Sequence, residues 1–192
     1  MKPDLRESKS ALRQQVLVRL GHMRLEQRAA VSSQACARME QQGLWQRARS
    51  VLLYAPMTEE LDVWPLVVQG LAAGKTVALP RFDPVAKQYF ARWIKDLTRD
   101  IQSGHFGIRE PADHCLPVDL GQVDLVLVPG VAFDLRGGRL GRGRGYYDKL
   151  LAPVLGATCG VAFDEQIVPE VPVGPRDLRL KFVLTPTRWV EV

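Results

Sequence analysis

The stretch RGGRLGRGRGYYDKLL, Arg136 to Leu151, places four arginines and five glycines in its first ten residues, followed by two tyrosines, an aspartate and an apolar turn. Guanidinium groups grip phosphate in bidentate fashion. Glycines let backbone N–H groups approach an anion without a Cβ in the way and can adopt positive φ. Two chemistries fit this composition: a segment that clings to nucleic acid, or a loop that wraps phosphates. Arg139, Arg142 and Arg144 would bring full charges, and a helix starting near Tyr146 would add the positive end of its dipole.

The surrounding elements favour the loop. VDLVLVPG, Val123 to Gly130, reads as a buried strand, and YYDKLLAPVL as an amphipathic helix, so the glycines fall between a strand and a helix. Such connections carry ligand loops in α/β sheets, whereas disordered arginine-glycine segments lie in low-complexity tails or linkers. Upstream, Leu5 to about Met39 reads as two helices, with Leu12, Val16 and Leu20 at i, i+4 and i+8, the second ending near Gly43. SVLLYAPM and TVALPR read as short strands on either side of a helix closing at Gly74, and QYFARWI as a strand near the sheet's edge. TCGVAF and KFVLTPT complete the set, the latter as the last strand. Strands alternating with helices imply one α/β domain over residues 1–192, three layers thick, with a mostly parallel sheet flanked by helices.

Composition is permissive. The 192 residues are 46% hydrophobic and 24% charged, which suits a globular domain with a core, and 26 basic against 21 acidic residues give a formal +5 spread along the chain. That excess suits a nucleotide, a polyanionic small molecule or nucleic acid. No apolar run approaches the ~20 residues needed to cross a bilayer, and the N-terminus lacks a secretory apolar segment. Cys36, Cys115 and Cys159 are odd in number and outside any CxxC spacing, which argues against disulfides or zinc. A cytoplasmic location is expected.

Two familiar phosphate motifs fail. A Walker loop needs GK[ST], which the sequence lacks. Gly141, Gly143 and Gly145 give GxGxG, with Tyr146 where a dinucleotide fingerprint puts its last glycine, although Asp164 lies at a strand end some twenty residues on.

With these residues in hand, the chain resembles the 5-formyltetrahydrofolate cyclo-ligases. The likeness rests on PGVAFDLRGGRLGRGRGYYDKLL and extends to KSALR, YAPMTEELDVWPL, GIREP, FDEQIVPEVPV, DLRL and TP, in order over almost the whole length. The resemblance implies a Rossmann-like fold of the ribose-5-phosphate isomerase and CoA-transferase type, acting as a cytosolic monomer on small molecules without nucleic acid or membrane. It implies ring closure of 5-formyltetrahydrofolate to 5,10-methenyltetrahydrofolate with ATP and Mg²⁺. By the family's pattern, Lys9, Ser10, Ala11, Leu12 and Arg13 would lie on ATP, and Arg13 would also reach the folate. Arg139, Leu140, Gly141, Arg142, Gly143, Arg144, Gly145, Tyr146 and Tyr147 would wrap the triphosphate. Arg142 to Tyr146 would also border the formyl group, with Arg142 and Tyr146 acting in catalysis. Ala55 and Glu60 would contact the pterin, and Asp148 and Asp177 would hold magnesium. Gly174 and Arg176 stand where many relatives carry an acidic residue and a histidine, which changes the surroundings of Asp177.

Plainer readings stand beside these. Lys9 and Arg13 make an ordinary solvated helix face, Glu59 and Glu60 suit a helix start, and Asp148 suits the first turn of its own helix. Of Tyr146 and Tyr147, one is expected to face the core and the other, Tyr146, the ligand. His22, His105 and His114 read as isolated, and the four tryptophans as core or partial core. Two rival functions remain: nucleic-acid binding through the arginine-glycine loop, and a same-fold relative acting on another phosphorylated ligand.

Overall fold

Leu125 and Leu127 face one side of their strand, Val126 and Val128 face the other, and all four are completely buried. A strand buried on both faces needs a layer on each side, and that requirement organises the molecule. The computed structural model describes residues 4–175 and 177–192, with only the backbone of Phe106. Arg176 of the altered Asp177 surroundings lies outside the described residues.

The chain begins with α1 (Leu5–Gly21), α2 (Leu25–Glu40) and a short α3 (Gly43–Arg47), then enters the sheet through β1 (Ser50–Leu52). Next come α4 (Trp64–Ala72), β2 (Thr76–Asp83), β3 (Gln88–Ile94), and a small hairpin of β4 (Ile101–Ser103) and β5 (Arg109–Pro111). β6 (Leu125–Val128) leads to a second hairpin, β7 (Ala132–Phe133) with β8 (Arg139–Leu140), and to α5 (Tyr146–Leu151). β9 (Ala157–Val161), β10 (Phe182–Leu184) and β11 (Trp189–Glu191) complete the chain.

The main sheet has seven strands in the order β11-β10-β9-β6-β1-β2-β3. Its five inner strands are parallel and each edge is antiparallel. Val16, Leu20, Met39, Trp45, Leu66 and Val67 bring α1 to α4 onto one face, while Leu150 and Leu151 bring α5 onto the other. α4 opens with a proline in its first turn and stops before Gly74, whose φ of 75° suits a residue without a Cβ. Close approach matters at Gly160: a Cβ there would lie 2.7 Å from the Phe133 ring, so glycine lets β7 press against β9.

Three sequence expectations are corrected, and two hairpins are added. α2 stops at Glu40, and α3 begins at Gly43 after a turn. The helix expected through Leu155 is only Tyr146–Leu151, because Pro153 cannot continue it. KFVLTPT is not the last strand: β11 returns antiparallel to β10, and the rings of Phe182 and Trp189 stack at 5.1 Å. The hairpins β4–β5 and β7–β8 are further strands that the sequence reading did not contain.

Candidate active site

From β1 the chain proceeds to β2 on one side, whereas β6, β9 and β10 build the other, so the strand order reverses between β1 and β6. Open α/β sheets bind ligands at such a switch point, beyond the carboxyl ends of the strands. Ala55, three residues past β1, and Pro129 and Gly130, immediately past β6, line a cleft of about 730 Å³ at that place. Every residue from Arg139 to Asp148 lines it too.

The arginine-glycine stretch divides in two. Its first half closes the β7–β8 turn: buried Asp134 accepts N–H groups from Arg136 and Gly138 through Oδ1, both at 2.9 Å, and from Val171 through Oδ2 at 2.8 Å. Burial pushes the Asp134 carboxyl pKa up, but these donors outweigh it and leave it lowered. Arg136 faces Glu170 and the Pro169 carbonyl. The second half, Gly141 to Gly145, crosses the cleft with φ of 95° at Gly143 and 67° at Gly145. Arg13 pins its start, donating from Nε to the Gly141 carbonyl at 2.8 Å.

Cations from three elements converge there. Arg6, Lys9, Arg13, Arg139, Arg142 and Arg144 line the cleft against Asp4, Glu60, Asp148 and Asp177, six positive groups to four negative. Arg139 is buried, donating to the Pro129 carbonyl at 3.2 Å and to Asp148 at 2.6 Å. Lys9 reaches across from α1 to Asp177. Burial raises the Asp177 pKa, while the Gly174 N–H and Lys9 pull it below its ordinary value. Arg142 meets Glu59 at 3.1 Å and Glu60 at 3.5 Å. Glu60 also accepts the Met57 N–H at 3.0 Å, and its burial raises its pKa against the pull of that N–H and of Arg142.

Lys9 and Arg13, one helical turn apart, thus face the cleft rather than solvent. Ser10 and Ala11 point outward and Leu12 packs on the core, so the helical period separates these three from the cleft. Glu59 and Glu60 precede the first turn of α4 and meet Arg142 instead of serving that helix. Asp148 is both a first-turn acid of α5 and a cleft residue. Both tyrosines line the cleft. Tyr147 also packs against both cores and burial raises its pKa, while Tyr146 joins Phe82 at 5.2 Å and Tyr89 at 5.8 Å. Met57, Tyr89, Ile108, Asp4, Leu5 and Arg6 complete the lining; Met57 and Ile108 fall within segments that carry the family resemblance, and the other four had no signal in the sequence beyond their elements.

Other candidates are absorbed locally. Asp164 accepts from Thr185, Thr187 and Arg188 at 2.7, 2.7 and 2.9 Å, away from the cleft lining. His105 stacks on Phe82 at 4.8 Å, and His114 meets Asp100 at 2.9 Å, so neither is isolated. Asp100, His114 and Cys115 bring three donor atoms within 4.8 Å, the one such group among the described residues. Asp100 is already engaged: Oδ1 takes His114, and Oδ2 takes the N–H groups of Lys95 and Asp96, holding its pKa down to about 2 with His114 the largest cause. All three cysteines are reduced and buried.

Similarity to known proteins points the same way. The model of the 5-formyltetrahydrofolate cyclo-ligase family matches residues 5–186. The Mycolicibacterium smegmatis 5-formyltetrahydrofolate cyclo-ligase is 35% identical over 153 residues, covering 77% of this chain and 79% of that protein. The Escherichia coli K12 protein of the same name is 32% identical over 175 residues, covering 86% and 93%. The NMR structure of Aquifex aeolicus 5,10-methenyltetrahydrofolate synthetase superposes with a TM-score of 0.85 at 32% identity, covering 95% of this chain and 92% of that one. A match spanning α1, the cleft loop and β10 takes in the elements that build the site, and the chain belongs to the 5-formyltetrahydrofolate cyclo-ligase family.

Proposed function

We propose that the cleft closes the ring of 5-formyltetrahydrofolate to 5,10-methenyltetrahydrofolate, converting ATP to ADP and phosphate. The observation that carries this reading is the convergence of six cations and a glycine-rich backbone on one cleft at the sheet's switch point, opposite the largely buried carboxyl of Glu60. A formamide carbonyl is a poor electrophile, and ring closure must expel its oxygen. The formyl oxygen attacks the γ-phosphorus and ADP departs. The folate's secondary aryl amine then attacks the activated carbon, loses its proton, and the C–O bond breaks to release phosphate. No protein nucleophile is needed, so the chain's work is positioning and charge neutralisation.

Lys9, Arg13, Arg139 and Arg144 hold the triphosphate, with the Gly141–Gly145 backbone closing over it. Arg142 follows charge onto the transferring phosphoryl group, and Tyr146 borders the formyl group. Ala55 and Glu60 receive the pterin, whose amino and ring N–H groups suit a carboxylate acceptor. Asp148 and Asp177 suit magnesium, a hard cation that prefers oxygen donors; both carboxylates line the cleft and each already holds a cationic side chain, Arg139 and Lys9. Bound there, magnesium would neutralise phosphate charge. Reduced, buried cysteines are in keeping with a cytosolic protein, and we take it to act as a monomer.

The test is the product's methenyl chromophore, expected only when ATP, Mg²⁺ and 5-formyltetrahydrofolate are all present. Purified, folded protein that forms none under those conditions refutes the reading. For the metal, Asp148→Asn keeps an acceptor for Arg139 but removes the carboxylate charge. The Mg²⁺ concentration giving half-maximal rate is expected to rise about tenfold, and an unchanged magnesium curve would take Asp148 out of the metal site.

A further inference from the structure

Arg28 lies on α2, outside the cleft lining, and ring closure makes no direct use of it. Its guanidinium joins two segments that contribute other residues to the cleft lining, α1 at its far end and the turn at Thr58. Nη2 donates to the Leu20 carbonyl in the last turn of α1, and Nη1 donates to the Thr58 carbonyl at 2.8 Å. Nε is buried and meets no acceptor among the described residues, so the side chain is committed to those two carbonyls.

The elements that carry those carbonyls line different halves of the site. α1 carries Lys9 and Arg13, which face the loop. Thr58 lies inside the tight turn from Met57 to Glu60, closed by the Glu60 N–H on the Met57 carbonyl at 3.0 Å and by the Met57 N–H on the Glu60 carboxylate at 3.0 Å. That turn brings Met57 and Glu60 into the cleft. A planar, permanently charged fork can hold two carbonyls in one fixed relation, whereas a lysine ammonium is a point charge on a flexible stem. The Leu20 carbonyl, at the negative end of the α1 dipole, favours a cation there.

We propose that Arg28 is a positioning residue that ties the α1 wall to the 57–60 turn, so that nucleotide on one wall and folate on the other strengthen each other's binding. This rests on the ring-closure reading for which substrate each wall takes. By linkage, any such effect must be reciprocal.

Calorimetric titration of a non-hydrolysable ATP analogue with Mg²⁺, in the presence and absence of 5-formyltetrahydrofolate, measures the effect without turnover. In the unaltered protein folate is expected to tighten the analogue about fivefold, a typical coupling. Arg28→Ala is expected to abolish that tightening and to raise both KM values about fivefold, with kcat within about twofold. Arg28→Lys, which retains charge and stem, should be intermediate and keeps the test open if the alanine variant does not fold. Absence of mutual tightening in the unaltered protein overturns the proposal. So does tightening that survives in the variants, or a fall in kcat with both KM values unchanged, which would mark simple loss of folded protein. Failure of ring closure itself is read separately, from the missing methenyl chromophore while mutual tightening persists.

Discussion

Arg142→Ala is expected to lower kcat at least about tenfold, equivalent to ~1.4 kcal/mol of transition-state stabilisation, while leaving unfolding stability almost unchanged. Both halves follow from where the side chain sits. The Arg142 side chain is 41% exposed and, among the described residues, is tethered by Glu59 at 3.1 Å and Glu60 at 3.5 Å. The Arg142–Glu59 pair is half-exposed on both sides, and such pairs contribute little to folding, while Glu60 keeps the Met57 N–H when the arginine is removed. A guanidinium free to exchange carboxylate for phosphate can instead follow negative charge as it develops on the transferring group. Arg139 could not be tested so cleanly, because its buried guanidinium is joined to Asp148 and the Pro129 carbonyl, and its removal would disturb the frame. Steady-state kinetics beside a denaturant melt separate the two effects. An Arg142→Ala enzyme with unaltered kcat would place Arg142 on the rim, held by Glu59 and Glu60 throughout the cycle.

Asp134→Ala is expected to cost about 3 kcal/mol of unfolding free energy, since it strands three buried or half-buried N–H groups that donate to a carboxylate. Asp134→Asn should cost about half as much, because Oδ1 can still accept from Arg136 and Gly138 and only the Val171 donor faces an amide. The carboxylate also makes stability pH-dependent. Its folded pKa is lowered, so its contribution is fully present above the unfolded aspartate value of about 3.9 and is lost as pH falls through the folded value. In the alanine variant that acid-side slope should be shallower. Urea melts of the three proteins at neutral and acid pH measure both; equal midpoints would mean that water replaces the carboxylate at no cost. Turnover should fall with the fraction folded, because Asp134 shapes the turn leading to Arg139 rather than the cleft.

The sequence carried a good part of this arrangement and concealed the rest for definable reasons. LVLV at β6 is legible because four consecutive buried residues on an inner parallel strand leave an uninterrupted apolar run. The glycine-rich loop is legible because positive φ at Gly143 and Gly145 demands a residue type that can be seen in one letter. β11, β4 and β5 are three residues each, too short to display alternation, and their pairing depends on partners such as Phe182 that are brought near only by the fold. Lys9 and Arg13 have the spacing of any polar helix face. What turns them into site residues is Asp177, which pairs with Lys9 across 168 positions. Arg28 is hidden for the same reason: in sequence it is one charge among many on a polar helix, and its two carbonyl partners carry no side-chain signature at all.

The central claim is that the bend between β8 and α5 seats a nucleotide's triphosphate. Crystals grown with Mg²⁺ and a non-hydrolysable ATP analogue test it directly. The expected density places the β- and γ-phosphates against Arg139 to Tyr147, with Arg142 withdrawn from Glu59 and Lys9 turned from Asp177 towards phosphate. A triphosphate bound elsewhere, with that bend still closed by its own ion pairs, contradicts it.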